Sequence, residues 1–262
     1  MADAPRDPDH DGYVDRVFRG RQLDRVAFPM GGIGAGMICL EGTGALSHVS
    51  IHHAPDVTRE ANAFGALWVK GVPGGARVIE GPVPRWKLYG PRLAAVGAPG
   101  SLFGLPRFAE ATFHARFPFG IVDLRDPAMP VEVRLTGWSP FVPLDADASS
   151  LPVAALEYEL ANVSNAPVEA VWSFHAAALA PNAVGGVSGT HRVGAAHGGF
   201  ALEREVTPER PWESEAISVA VDAPDARVNC RWFRGGWFDA QTMLWKQISS
   251  GETPHAGPYT EG

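Results

Sequence analysis

Apolar and polar residues alternate with a period of two along most of this chain. The stretch 131–138, VEVRLTGW, places its two valines and its leucine on one side and Glu, Arg and Thr on the other. This period is that of a β-strand with one buried face. The same alternation recurs at 154–160, 168–174, 216–222 and 226–234.

Turn signals separate these runs: RDPAMP, NVSNAP, PNAVGGVSG and DAPDA. The chain also has 30 Gly and 23 Pro in 262 residues, which suits many short strands joined by tight turns. We therefore predict a mainly β fold, a large antiparallel β-sandwich with long loops and one or two short helices. The boundaries we expect are a flexible N-terminal segment at 1–25, the sandwich at 26–250, and a tail or the start of a linker at 251–262.

Two regions depart from the strand pattern. Residues 71–106 are rich in Gly and Pro and are predicted to form long loops over the sheet. Residues 239–251 predict a helix, with Asp239 as its N-cap, apolar Met243, Leu244 and Ile248 on one face, and Gly251 as its stop signal.

The stretch 28–37, FPMGGIGAGM, raises the possibility of a phosphate-binding loop. Its glycines lack the spacing of nucleotide-binding fingerprints, and the sequence that follows predicts a strand, a turn at EGTG and a second strand. We expect Gly32, Gly34 and Gly36 to allow a tight turn and the close approach of another backbone segment.

Charge and cysteine content exclude several function classes. The formal net charge is −7 and the basic residues form no run, so we expect no nucleic acid partner. We predict no transmembrane segment, and the N-terminal residues show no apolar signal region, which favours a cytoplasmic protein. Cys39 and Cys230 lack a paired motif and are expected to be buried thiols.

Two polar clusters are candidates for chemistry. If 47–56 is a strand, His48 and His52 lie on one face and His53 on the other, with Asp56 nearby, which is too few convergent ligands for a catalytic zinc. We expect no metal and no cofactor, and a hydrogen-bonding or interface role instead. Asp145 and Asp147 are expected to form a solvated turn or a cap with Ser149.

Three stretches together resemble the N-terminal domain of glycoside hydrolase family 116, which contains β-glucosidases and non-lysosomal glucosylceramidases. They are FPMGGIGAGMI, the long run from ARFPFG to EAVWSF that includes GWSPFVPLDADASSLPVA, and WFRGGWFDAQTMLWKQI. The resemblance covers about Phe28 to Ile248, and the GWSPFVPLDADASSLPVA stretch is its most specific part.

The resemblance implies an N-terminal β-sandwich that packs on a C-terminal α/α toroid, and the toroid carries the catalytic carboxylates. We therefore expect no catalytic residue in this chain, which stops before any toroid. The implied partners are that domain, in the same or a separate chain, and a β-glucoside or glucosylceramide-like substrate of the whole enzyme. The candidates for the substrate side or the domain interface are Gly32, Gly34, Gly36, His48, His52, Asp56, Trp86, Asp145 and Asp147.

A second hypothesis is a stand-alone sandwich module that binds carbohydrate or another protein. Such a module should cover its apolar faces, whereas a domain that packs on a partner should expose an apolar patch.

Overall fold

The computed structural model describes residues 16–51, 55, 60–61, 63–88, 102–176, 191–196, 198–204, 208–209, 214–230 and 240–257. The strands in these ranges form four antiparallel sheets. The strands are β1 (Arg16–Arg19), β2 (Ala27–Met30), β3 (Met37–Glu41), β4 (Leu46–Ser50), β5 (Ala63–Val69), β6 (Ala76–Val78), β7 (Glu110–Arg116), β8 (Phe119–Arg125), β9 (Val131–Trp138), β10 (Ala155–Asn162), β11 (Ala170–Ala176), β12 (His191–Ala196), β13 (Gly199–Arg204) and β14 (Glu215–Ala220).

The helices in the described residues are few and short. A 3-10 helix spans Gly20–Arg25, and the α-helices are α1 (Arg85–Leu88), α2 (Ala146–Ser149) and α3 (Ala240–Ser250). The mainly β fold that the alternating pattern predicts is therefore confirmed. None of these helices combines the length and the apolar character needed to cross a bilayer.

The largest sheet has five strands in the order β1-β7-β8-β9-β10. In β9, Val131, Val133 and Leu135 are buried, whereas Arg134 is exposed. The register pairs Leu135 of β9 with Tyr158 of β10, so the apolar sides of neighbouring strands coincide. One face of this sheet thus enters the core, as the alternation of apolar and polar residues requires.

The second layer is the three-stranded sheet β11-β5-β6. Strand β5, AFGALWV, is apolar throughout because both of its faces are covered. Leu67 and Val69 belong to the main core shared with the five-stranded sheet, whereas Phe64 and Ala66 belong to a second cluster with Ile248 of α3. The fold is therefore a sandwich with α3 packed on its outer side.

Helix α3 confirms the helix predicted at 239–251. Its C-terminal end is set by Gly251, which has φ +71° and donates its N–H to the Ile248 carbonyl at 3.1 Å. Asp239, the predicted N-cap, lies outside the described residues.

Strands β2, β3 and β4 form a small antiparallel sheet, and β3 and β4 are the two arms of the hairpin predicted around EGTG. The fourth sheet consists of β12, β13 and β14, and β14 confirms the strand predicted at 216–222.

The strand predicted at 226–234 does not form in its described part, 226–230. Asn229 makes one isolated bridge there, to Ala256, so this segment pairs with the C-terminal residues and with no strand.

The region 71–106, predicted as loops alone, contains β6 and α1 in its described part. Strand β6 has only three residues, and α1 is a single turn, so neither produces a periodic pattern long enough to recognise. Strand β1, which falls within the segment 1–25, pairs with β7 of the five-stranded sheet.

Candidate functional site

The glycine loop, residues 31–36, connects β2 to β3 and is shaped by positive φ angles at Gly31, Gly34 and Gly36. Gly32 has a different reason to lack a side chain. A Cβ at this position would lie 2.2 Å from the Ser150 carbonyl oxygen and 2.6 Å from that of Leu151. The loop is thus a tight turn against which another backbone segment packs, as its sequence predicts.

That second segment is 139–153, which contains α2. Asp145 caps α2, because its Oδ1 accepts the Ala148 N–H at 2.9 Å. Ser149 is 2 % exposed, and its hydroxyl accepts from the Val142 N–H at 3.0 Å and donates to the Val142 carbonyl at 3.1 Å. These bonds fold the loop before α2 back onto the helix.

Two hydrogen bonds join the segment to the glycine loop. The Ile33 N–H donates to the Ser149 carbonyl at 2.9 Å, and the Gly31 N–H donates to the Ser139 hydroxyl at 2.6 Å. Residues more than one hundred positions apart thus form one surface.

This surface carries large apolar side chains that point to solvent. Leu144 is fully exposed, and its φ of +68° is a strained conformation for a leucine. Phe141 makes an edge-on contact with exposed Phe117, with ring centroids 4.9 Å apart. We call the following residues, each at least 43 % exposed, the apolar face: Ile33, Phe141, Val142, Leu144, Leu151 and Val153.

A cleft of about 2430 Å³ opens next to the glycine loop. Its walls come from the glycine loop, β10, β11 and β14, and they include Tyr158, Trp172 and Phe174. His175 of β11 also borders the cleft, and burial lowers the pKa of its imidazole to about 4. This His is therefore neutral at physiological pH.

The structure separates the residues proposed from sequence. Gly32, Gly34, Gly36, Asp145 and Asp147 lie in the two joined segments, and both aspartates are exposed. Asp145 caps α2, which agrees with the turn or cap predicted for Asp145 and Asp147. A role of these residues at a domain interface stays a prediction.

His48 lies in β4 with φ +54°, and its Nδ1 shares a hydrogen bond with the Ser47 hydroxyl. His52, His53 and Asp56 lie outside the described residues, so their convergence with His48 stays a prediction. Among the residues that the structure does describe, no three His, Cys, Asp or Glu side chains are placed so that they could hold a metal ion. Cys39 and Cys230 are buried free thiols, as expected, and burial raises the pKa of Cys39 to about 11.

A buried group of charged residues was not predicted from the sequence. Lys87 of α1 has a side chain that is 3 % exposed, and its Nζ lies 2.6 Å from Glu41 Oε1 and 2.8 Å from Glu60 Oε1. Arg107 pairs with buried Glu80 at 3.0 Å. We call Glu41, Glu60, Glu80, Lys87 and Arg107 the charged cluster.

Burial raises the pKa of Glu60 and Glu80, although Lys87 and Arg107 oppose the shift. The cluster has three carboxylates and two cationic groups. Its members come from five separate places in the chain, so no local pattern could have indicated it. Trp86, the remaining candidate from sequence, precedes Lys87 and is 50 % exposed.

Comparison with known protein families decides the classification. Residues 27–255 match the family model described as beta-glucosidase 2, glycosyl-hydrolase family 116 N-term. The chain belongs to this family. The match includes the glycine loop, the apolar face and the charged cluster. No curated protein matches the chain.

The family 116 N-terminal domain is consistent with the β-sandwich described above. The name of the family implies a companion catalytic domain. The two backbone segments that meet at Gly32 lie in the stretches FPMGGIGAGMI and GWSPFVPLDADASSLPVA.

Proposed function

We propose that this family 116 N-terminal domain is a non-catalytic sandwich that packs on a C-terminal α/α toroid and shapes its active site. The observation that carries the proposal is the apolar face, six large side chains exposed on one surface beside the glycine loop. Exposed apolar patches of this kind are typical of interaction sites. A stand-alone module would be expected to cover them.

The chemistry of the surface also suits a domain interface. Hydrogen bonds join the backbone of the glycine loop to 139–153, so the two segments that carry the apolar face are connected without a partner. A preformed surface loses less conformational entropy on association. Asp145 and Asp147 at its margin offer polar contacts at the rim, where interfaces are usually polar.

For the whole enzyme, we propose hydrolysis of a β-glucoside or a glucosylceramide-like lipid, with both catalytic carboxylates supplied by the toroid. The family description, beta-glucosidase 2, supports this substrate class. The isolated chain is expected to be inactive, because both carboxyl groups that retaining hydrolysis needs are proposed to lie on the toroid. The neighbouring Glu41 and Glu60 carboxylates of the charged cluster are both bound to the buried Lys87 ammonium.

The test combines the purified chain with a separately produced family 116 catalytic domain. We expect a one-to-one complex in size-exclusion chromatography and hydrolysis of an aryl β-glucoside that increases when the chain is added. The chain alone should release no product. Hydrolysis by the chain alone, or failure of the two domains to associate at any concentration tested, would contradict the proposal.

A further inference from the structure

Trp86 is exposed on a helical turn whose position is set by its neighbour. Helix α1 has only four residues, too few to be stable without tertiary contacts. Lys87 supplies such contacts, because its buried ammonium binds Glu41 and Glu60. The ion pairs of Lys87 therefore hold the backbone that carries Trp86. Half of the large apolar surface of the Trp86 indole faces solvent.

Two other groups surround the same ammonium. Lys87 Nζ lies 5.6 Å from the centroid of the Trp86 ring and 5.7 Å from that of the Phe103 ring. Glu60, 2.9 Å from this Nζ through Oε2, has a side chain that is 34 % exposed. The half-exposed Trp86 ring and the partly exposed Glu60 carboxylate are thus both neighbours of the same ammonium.

The chemistry of these groups limits the ligand. An indole face attracts apolar C–H groups or a cation, and a carboxylate accepts hydrogen bonds from hydroxyl groups. Lys87 already occupies the cationic position beside the ring, so a cationic ligand would meet a like charge. A neutral ligand with an apolar face and peripheral hydroxyl groups is complementary to the pair.

We propose that Trp86 and Glu60 form a surface subsite for a neutral pyranose, with the sugar ring stacked on the indole and a hydroxyl group donating to the Glu60 carboxylate. The site is distinct from the apolar face. Lys87 binds Glu41 at the C-terminal end of β3, whereas the glycine loop precedes the N-terminal end of that strand.

The experiment uses the full chain, labelled with nitrogen-15 and titrated with methyl β-D-glucopyranoside and with cellobiose. The choice of β-glucosides as probes rests on the proposed function. The indole N–H signal that disappears in Trp86→Phe identifies Trp86 in the NMR spectrum of the parent protein. We expect this signal to shift progressively on addition of either sugar, with weak affinity typical of one stacked ring.

Three variants and one control make the result specific. Binding by the variants is followed through the backbone amide signals that shift in the parent titration, because the indole signal is lost with Trp86. Trp86→Ala should weaken binding by about tenfold or more, since the apolar contact area is lost. Trp86→Phe should retain part of the affinity, and Glu60→Gln should weaken it while the thermal midpoint stays within a few degrees. Phe141→Ala, which removes an exposed aromatic ring from the apolar face, should leave binding unchanged.

The proposal is overturned if neither sugar shifts the Trp86 signal up to its solubility limit, or if Trp86→Ala binds as the parent protein does. Because the titration contains no catalytic domain, this failure is independent of domain association. A chain that binds no sugar but forms the complex with the catalytic domain would retain the proposed function and lose the subsite.

Discussion

The Ile33 N–H donates to the Ser149 carbonyl at 2.9 Å and thereby joins the glycine loop to the segment that contains α2. The bond is possible because Gly32, the preceding residue, has no Cβ to strike the Ser150 carbonyl oxygen. Ile33 and the apolar residues of 139–153 are consequently presented together on the apolar face. The shape of this surface thus depends on one glycine.

Gly32→Ala is expected to destabilise the fold. Its Cβ would lie 2.2 Å from a backbone oxygen, so one of the two segments must move, at a cost of about 3 kcal/mol in the free energy of unfolding. Gly104→Ala is the control, since nothing lies within 4 Å of its added Cβ. Urea denaturation measures both, and equal stability of the two variants would contradict the close approach.

Lys87→Met should also lower the free energy of unfolding, by about 3 to 5 kcal/mol, because it leaves the buried Glu41 carboxylate without its cation. The double variant Lys87→Met with Glu41→Gln should recover part of this loss, since the uncompensated charge is removed.

Lys70→Met provides the matched comparison. Its pair with Glu169 has side chains that are 60 % and 70 % exposed, so the change should cost less than about 1 kcal/mol. Thermal and urea unfolding of the three variants would test the charged cluster. A loss for Lys87→Met no greater than that for Lys70→Met would show that the cluster contributes little.

His175 predicts a specific dependence of stability on pH. Its pKa is lowered from 6.5 to about 4 in the folded protein. Between these two pH values the unfolded chain therefore binds more protons than the folded protein. The contribution of His175 to the free energy of unfolding is complete above pH 6.5. It falls by about 3 kcal/mol in total as the pH decreases to 4. His175→Phe should abolish this contribution, with the new ring packed beside Phe64.

Glu60 and Glu80 contribute the opposite slope, because their raised pKa values make the folded state bind protons more readily than the unfolded chain as the pH falls. The parent protein and the His175→Phe variant both retain these two carboxylates. The difference between the stability curves of the parent protein and His175→Phe therefore isolates the His. A difference that is constant from pH 4 to pH 7 would contradict the buried neutral imidazole.

Leu144→Lys tests the proposed domain interface without disturbing the core, because the Leu144 side chain is fully exposed. We expect affinity for the catalytic domain to fall by about tenfold or more, while the unfolding midpoint is preserved. Val163→Lys, a substitution of another exposed apolar residue, should leave the affinity unchanged. Calorimetric titration of each variant with the catalytic domain measures the affinity. An equal loss of affinity for Leu144→Lys and Val163→Lys would indicate a nonspecific charge effect and contradict the proposed interface.

The sequence by itself determined the strand content and several individual elements. Strand β9, the β3–β4 hairpin and α3 were predictable because each depends on local features, namely period-two alternation, a Gly-rich turn and a helical apolar face with a terminal glycine. The family resemblance was visible for a similar reason, since its motifs are continuous stretches. The short elements β6 and α1 were missed because they contain too few residues to repeat a pattern.

Only the tertiary structure decided which distant residues meet. Nothing near Lys87 in the chain indicates that Glu41 and Glu60 are its partners, and nothing near Ile33 indicates Ser149. Likewise, apolar side chains such as Leu144 and Leu151 would be assigned to a core from hydropathy alone, yet the fold leaves them exposed. Local alternation specifies which side of a strand is apolar, but burial and ion pairing depend on contacts between segments far apart in sequence.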